Sequence, residues 1–329
     1  MTLPAASPVI GDFDPLFRNP HLATLAGNFW PRSLDEARFP ASTQFYRPQR
    51  GVTIKVIEHQ PVAPSHGQIV FLHGLEGSAD AGYIRSMSQA ALDRNFGVHR
   101  TNLRSCGGTE HLSETLYHSG LTSDTRFILE EIRRRRLGPV SLVGFSLGGN
   151  IALKLAGELG QTELLCAVSA ISVPLDLAAC SRALARPQNF LYNRRFLSRL
   201  KARVLKKAGS SPLYSPAALK DVRTIWEFDD LCTAPAFGFG DAENYYRTQS
   251  SAVFLDAIRI PTLVVQAKDD PLVPFSVFDH PAFLSNLRVE LLAVPNGGHL
   301  GFISRRHPRF WLDQVVTSWL AAHEPETVP

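Results

Sequence analysis

Cysteine is scarce in this 329-residue chain: Cys106, Cys166, Cys180 and Cys232 are the only four, and no two form a C-x-x-C pair. That spacing argues against a thiolate metal centre or a dithiol redox motif, and free, buried or incidental thiols are expected instead. Long apolar runs are missing as well. None approaches the ~18 residues that a helical membrane span requires. The opening segment "MTLPAASPVIGDFDP" has no basic n-region and its apolar stretch is broken by prolines. A secretory signal is therefore not expected, and a reducing cytoplasm is the expected location. Charge of one sign is also lacking. Lys and Arg number 34 against 30 Asp and Glu, and a net +4 does not by itself point to nucleic acid. What is present is ordinary for a soluble globular protein, with 44% hydrophobic and 19% charged residues.

Along the chain there is no internal repeat and no low-complexity tract. Residues 1–40 are punctuated by proline and read as an arm packed on the core. "TQFYRPQRGVTIKVIEH" reads as an antiparallel hairpin turning at Arg-Gly. Six short runs follow, separated by helix-length segments: "QIVFLHG", "GVHRTNLR", "PVSLVGFS", "LLCAVSAIS", "PTLVVQAKDD" and "VELLAVPNGGH". Continuously apolar, β-branched runs of this length suit parallel strands buried on both faces. The segment "LTSDTRFILEEIRRRR" predicts a helix capped among Thr122, Ser123 and Asp124, with Glu130 and Glu131 four residues before Arg134 and Arg135. "PRFWLDQVVTSWLAA" predicts a closing helix on the sheet.

The strand rhythm stops between about Val173 and Ile258. The expected layout is an α/β core over 41–172 and 259–329, with 173–258 inserted between two core strands as a helical cap. Within that insertion "NRRFLSRLKARVLKK" puts Phe196, Leu197, Leu200, Val204 and Leu205 on one stripe. Arg194, Arg195, Arg199, Lys201, Arg203, Lys206 and Lys207 lie beside it. A stripe packed on the core with solvated charges is the favoured reading. Contact with an anionic membrane surface is the rival.

One motif carries chemistry. "LVGFSLGGN" places Ser146 between glycines, after a predicted buried strand and before the predicted helix "SLGGNIALKLAGEL". G-x-S-x-G arises by chance in about one chain in ten of this length. The strand–turn–helix context is what a nucleophile elbow demands, and it separates Ser146 from a mere helix cap. A serine nucleophile needs a base, and the base needs an orienting acid. Two downstream strand ends offer them: Asp269 and Asp270 in "AKDDPLVP", then His299 in "PNGGHLGF". The order Ser, Asp, His is that of the α/β-hydrolase fold. Asp270 is taken as the acid, with Asp269 as a turn residue or a support behind the site, and His280 in "FDHPAF" as a surface histidine. An oxyanion needs two aimed N–H donors. They are expected from Leu147, just after the serine, and from Leu75 in the loop "FLHGLEGS".

Taken together, "NPHLATL", "LHGLEGS", "NLRSCGG", "LYHSGLTSD", "VGFSLGGN", "EFDDLCTAPAFGFGDAENYY", "AKDDPLVP" and "PNGGHLGF" resemble the YheT-like (embryogenesis-associated-like) α/β-hydrolases over nearly the whole chain. The chain departs from that pattern at Ala23, at Arg104-Ser105-Cys106-Gly107-Gly108 and in "PQRGV", away from the proposed catalytic residues. The resemblance implies a serine carboxylesterase on an α/β-hydrolase fold: a mostly parallel central sheet flanked by helices, with a helical cap inserted between core strands. Among the relatives it implies are lipid-active hydrolases and fungal enzymes that make or cleave medium-chain fatty acid ethyl esters.

The expected activity is hydrolysis of short- to medium-chain or lipid-like esters by Ser146, His299 and Asp270, through an acyl-enzyme. No cofactor, metal, nucleic acid or obligate protein partner is implied. Acyl transfer to an alcohol is the nearest alternative. A non-catalytic binding protein on the same fold is the other.

Overall fold

A computed structural model describes residues 12–324 apart from 64 and 210. Eight strands form one sheet in the order β1-β2-β4-β3-β5-β6-β7-β8. β1 (Ser42–Gln49) and β2 (Val52–His59) make the expected hairpin, and β2 runs antiparallel to β4 (Phe96–Thr101). β3 (Gly67–Leu72), β5 (Val140–Phe145), β6 (Ala167–Ile171), β7 (Thr262–Ala267) and β8 (Val289–Val294) continue it in parallel. Strands β3 to β7 are buried along their whole lengths, which is why their sequences are mostly apolar. Among the polar side chains they do bury, His99 Nε2 meets Gln68 Oε1 at 2.9 Å in the core.

Alternation along β3 divides the core in two. Val70 and Leu72 face α3 (Ser123–Arg134) and α4 (Leu147–Leu159) through Ile128, Leu129, Ile151 and Leu155. Ile69 and Phe71 face α2 (Gly82–Asp93) and the closing helix (Trp311–Ala321) through Ile84, Met87, Val316 and Trp319. Each such buried side chain contributes ~1.5–3 kcal/mol, so the sheet forms a rigid platform for the loops at its C-terminal edge.

The helix of the "RRRR" segment differs from its expected polar contacts. Thr122 makes no side-chain cap. Asp124 turns inward and takes Arg104 in a two-point ion pair at 2.6 and 2.7 Å. Arg135 bypasses Glu131 for the buried Glu58 of β2. Burial would raise the Glu58 carboxyl, yet hydrogen bonds from His99, Arg135 and Tyr46 hold it at about 2. Arg134 meets Glu131 three residues away, and Glu130 pairs with Arg126. Arg135 thus ties the C-terminal end of this helix to the core instead of pairing along the helix surface.

Between β6 and β7 the chain leaves the sheet for α5 (Leu177–Leu184), α6 (Phe190–Ala208), several short helical turns and α7 (Ala242–Gln249). On α6, Leu197, Leu200 and Val204 are buried and Phe196 is partly so, whereas Leu205 is exposed and leaves the stripe. Besides Arg199, which makes one long contact of 3.5 Å to the Glu76 carbonyl, four of the bases read as free surface charge have protein acceptors. Lys201 reaches the Val222 carbonyl, Arg203 reaches Glu76, Lys206 reaches Glu110, and Lys207 is buried on the Glu110 and Ser113 carbonyls. Among the described residues no helix is long and apolar enough to cross a membrane.

Candidate active site

Ser146 stands between β5 and α4 with φ +52° and ψ −119°. That region is costly for any residue with a Cβ, by about 1–3 kcal/mol, and it persists only where the surroundings enforce it. They do so through close packing. A Cβ on Gly144 would lie 2.2 Å from the Gly148 carbonyl oxygen, and one on Gly148 would lie 2.4 Å from that of Leu72. The Ser146 N–H donates to the Ile171 carbonyl at 2.7 Å, so the turn is pinned to the neighbouring strand. The hydroxyl is left projecting at the sheet edge.

His299 Nε2 lies 2.9 Å from Ser146 Oγ, and His299 Nδ1 lies 2.8 Å from Asp270 Oδ2. The carboxylate can only accept, so Nδ1 carries the hydrogen and Nε2 presents its lone pair to the serine. Asp270 has a fully buried side chain. Its carboxylate also accepts from the Leu272 and Val273 N–H groups and from Gln266 Nε2. Those bonds fix its orientation after β7.

Asp269 faces away from the imidazole. Its oxygens accept from Gly298 N at 2.9 Å and Asn296 Nδ2 at 3.2 Å, bracing the loop that bears His299. Helix α1 (Pro20–Phe29) braces the same loop from the other side. Thr24 Oγ1 accepts from His299 N at 2.9 Å, and a Cβ on Gly298 (φ +55°) would lie 2.4 Å from the Pro20 carbonyl oxygen. His280 is not brought to the site. Its Nδ1 accepts from the Ala282 N–H in a turn after β7.

After β3, the loop of Gly74, Leu75 and Glu76 passes beside the serine, and a Cβ on Gly74 would lie 3.1 Å from Ser146 Cβ. His73 anchors it. Its Nε2 accepts from Leu103 N and its Nδ1 meets the Gly74 carbonyl; burial drives this imidazole down to about 4, so it is neutral at physiological pH. Gly74 N donates to the Tyr83 hydroxyl and Glu76 N to the Tyr117 hydroxyl. Between them the Leu75 N–H has no hydrogen-bond partner among the described residues, and the same holds for the Leu147 N–H at the start of α4. Two donors beside one hydroxyl can receive an anion formed there.

Two cavities meet at Ser146 and His299. The inner one, about 110 Å³, runs beneath the insertion among Leu177, Leu184, Leu200, Phe228 and Tyr245. The outer one, about 730 Å³, opens between α1, the Leu75 loop and the first turns of α6. Among the described residues no group of three or more His, Cys, Asp or Glu side chains is placed to hold a metal ion.

Sequence reasoning missed several residues around this centre. Glu76 (φ +55°) is buried in the Leu75 loop, and its carboxylate takes Arg203 at 2.9 and 2.8 Å and the Tyr117 hydroxyl at 3.0 Å. A charged residue inside the apolar, glycine-bounded "LHGLEGS" was the available signal. Thr24 carried no comparable signal. Asp229 lines the inner cavity, and burial raises it to about 6 despite hydrogen bonds from the Thr233 and Tyr246 hydroxyls.

Comparison with known proteins follows the same lines. Residues 67–305 match a family model described as the alpha/beta hydrolase fold. YheT of Escherichia coli (strain K12) is 34% identical over 315 residues, covering 93% of this chain and 92% of that protein. The monoacylglycerol lipase of Saccharomyces cerevisiae is 29% identical over 269 residues; the match covers 78% of this chain but 60% of that longer protein. Among solved structures, esterase Pf2001 of Pyrococcus furiosus superimposes with a TM-score of 0.59 at 14% identity, covering 90% of this chain and 99% of that one.

Proposed function

The chain belongs to the α/β-hydrolases, in the group that includes YheT, and from that premise we propose that it hydrolyses carboxylic esters through an acyl-enzyme on Ser146. The observation that carries this reading is the line Asp270–His299–Ser146, ending beside two unpaired N–H groups where the two cavities join. Ser146 Oγ attacks the ester carbonyl carbon as His299 Nε2 takes its proton, and Asp270 stabilises the imidazolium. The carbonyl oxygen, now anionic, receives hydrogen bonds from the Leu75 and Leu147 N–H groups. Collapse expels the alcohol, which takes the proton back from His299. Water then repeats the sequence on the acyl-enzyme, releasing the carboxylic acid and free Ser146.

The inner cavity takes the acyl chain and the outer cavity takes the alcohol. An apolar pocket rewards each added methylene by about 0.8 kcal/mol until it is full. On p-nitrophenyl esters of increasing length, kcat/KM is therefore expected to rise about fourfold per methylene, pass a maximum, and fall. Leu200→Trp should move that maximum to a shorter chain. A profile with no maximum, or one that Leu200→Trp leaves in place, would detach the acyl chain from this cavity.

The outer cavity has room for an alcohol as well as for water, which supports acyl transfer as a second outcome of the same intermediate. Adding ethanol to the assay and measuring ethyl ester against free acid distinguishes the two. Surface contact through α6 is a separate proposal. With Lys206 and Lys207 engaged, it rests on the exposed Arg194, Phe190 and Leu191. Any preference for anionic over neutral vesicles in co-sedimentation is expected to fall on Arg194→Glu and not on Lys206→Glu.

A further inference from the structure

The two cavities differ in charge as much as in size. The outer one collects three arginines from successive turns of α6: Arg195, Arg199 and Arg203. Arg203 is committed to Glu76 through both Nε and Nη2. Glu110, the other acid on this wall, sits 3.3 Å from Lys206 Nζ and 3.8 Å from Arg203 Nη1. Both acids are therefore neutralised by other bases. Arg195 and Arg199 are exposed to the cavity and have no carboxylate partner among the described residues. The Arg195 guanidinium lies over the Phe29 ring at 5.0 Å, which supports one face and leaves the N–H edges free. Arg199 has one weak contact, Nη1 to the Glu76 carbonyl oxygen at 3.5 Å.

Two like charges four residues apart on a helix repel, and no carboxylate among the described residues offsets them. Burial and the neighbouring Arg199 both lower the Arg195 pKa, the direction expected where a cation lacks a counter-charge. The same cavity reaches Ser146 and His299. Planar guanidinium groups match carboxylate and phosphate oxygens two at a time. We infer that Arg195 and Arg199 form an anion subsite for the alcohol portion of the substrate, so that the preferred esters carry a carboxylate or phosphate on the leaving group. This rests on the ester-hydrolase reading, because Ser146 is what separates an acyl side from an alcohol side.

The test compares 4-(butanoyloxy)benzoate with its uncharged methyl ester, each kcat/KM divided by that ester's spontaneous hydrolysis rate to remove leaving-group reactivity. The anionic ester is expected to be favoured by about five- to tenfold at low salt, the size that two partly exposed charge-assisted contacts supply. The preference should shrink as salt screens the arginines. Arg195→Ala/Arg199→Ala should bring the ratio to about one, whereas Arg195→Lys/Arg199→Lys should keep most of it. Turnover of both esters with a ratio near one in the unmodified protein would overturn the subsite and leave the hydrolase reading standing. So would a preference that survives the double alanine variant. If neither ester is turned over, the hydrolase reading fails, and calorimetric binding of the two esters decides the subsite by itself. Tighter binding of the anionic ester, lost in the double alanine variant, supports it. Equal binding overturns it.

Discussion

Replacing Ser146 by alanine is expected to reduce ester turnover by on the order of a millionfold, the size of effect that loss of a serine nucleophile has in hydrolases of this chemistry. Labelling by a fluorophosphonate probe should vanish with it. Stability should hardly move, because the hydroxyl projects from the turn and the Ser146 N–H bond to Ile171 is retained in the variant. Ser146→Gly should lose activity equally but unfold at a higher temperature than Ser146→Ala. Glycine tolerates φ +52° without the strain of about 1–3 kcal/mol that a Cβ incurs there. Persistent labelling of the alanine variant would remove Ser146 from the mechanism. An unmodified protein that neither labels nor turns over esters would instead favour a non-catalytic hydrolase fold.

The second large effect separates two adjacent carboxylates. Asp270→Asn should lower kcat/KM by about ten-thousandfold. The asparagine oxygen would keep the Leu272 and Val273 N–H bonds, which places its amide against His299 Nδ1. The imidazole must then accept at Nδ1 and carry its hydrogen at Nε2, where it cannot take the serine proton. Asp269→Asn removes at most one of the loop's two braces, and a lost hydrogen bond of about 1 kcal/mol corresponds to roughly a fivefold effect. Steady-state kinetics on p-nitrophenyl butanoate ranks the two variants. The reverse order would reassign the acid while leaving the serine and histidine in place.

Both variants probe a distinction that the chain order alone leaves open. "AKDDPLVP" offers two carboxylates at one strand end, and local pattern cannot say which turns inward. The answer depends on the Leu272 and Val273 N–H groups, which curl back over Asp270, and on the distant Gly298 N–H, which takes Asp269.

The strands and the elbow were legible because their causes are local. A strand buried on both faces is apolar at most positions, and a serine held at positive φ between a strand and a helix must have small neighbours. Sequence by itself therefore determined the parallel core, the tight turn at Ser146, and the strand ends at which Asp270 and His299 follow. Only the tertiary structure decided what lies far apart along the chain. Thr24 braces His299 from 275 residues away. Arg203 leaves a surface stripe to neutralise Glu76, 127 residues earlier. Arg135 passes over the glutamate one turn back for Glu58 in another strand. Long charged side chains choose partners by proximity and burial in three dimensions, and helical periodicity reports neither. The same reason hides the cavities: their walls come from the insertion, the arm and the strand-end loops together. The division of the site into an apolar side and a cationic side comes into being only when those segments meet.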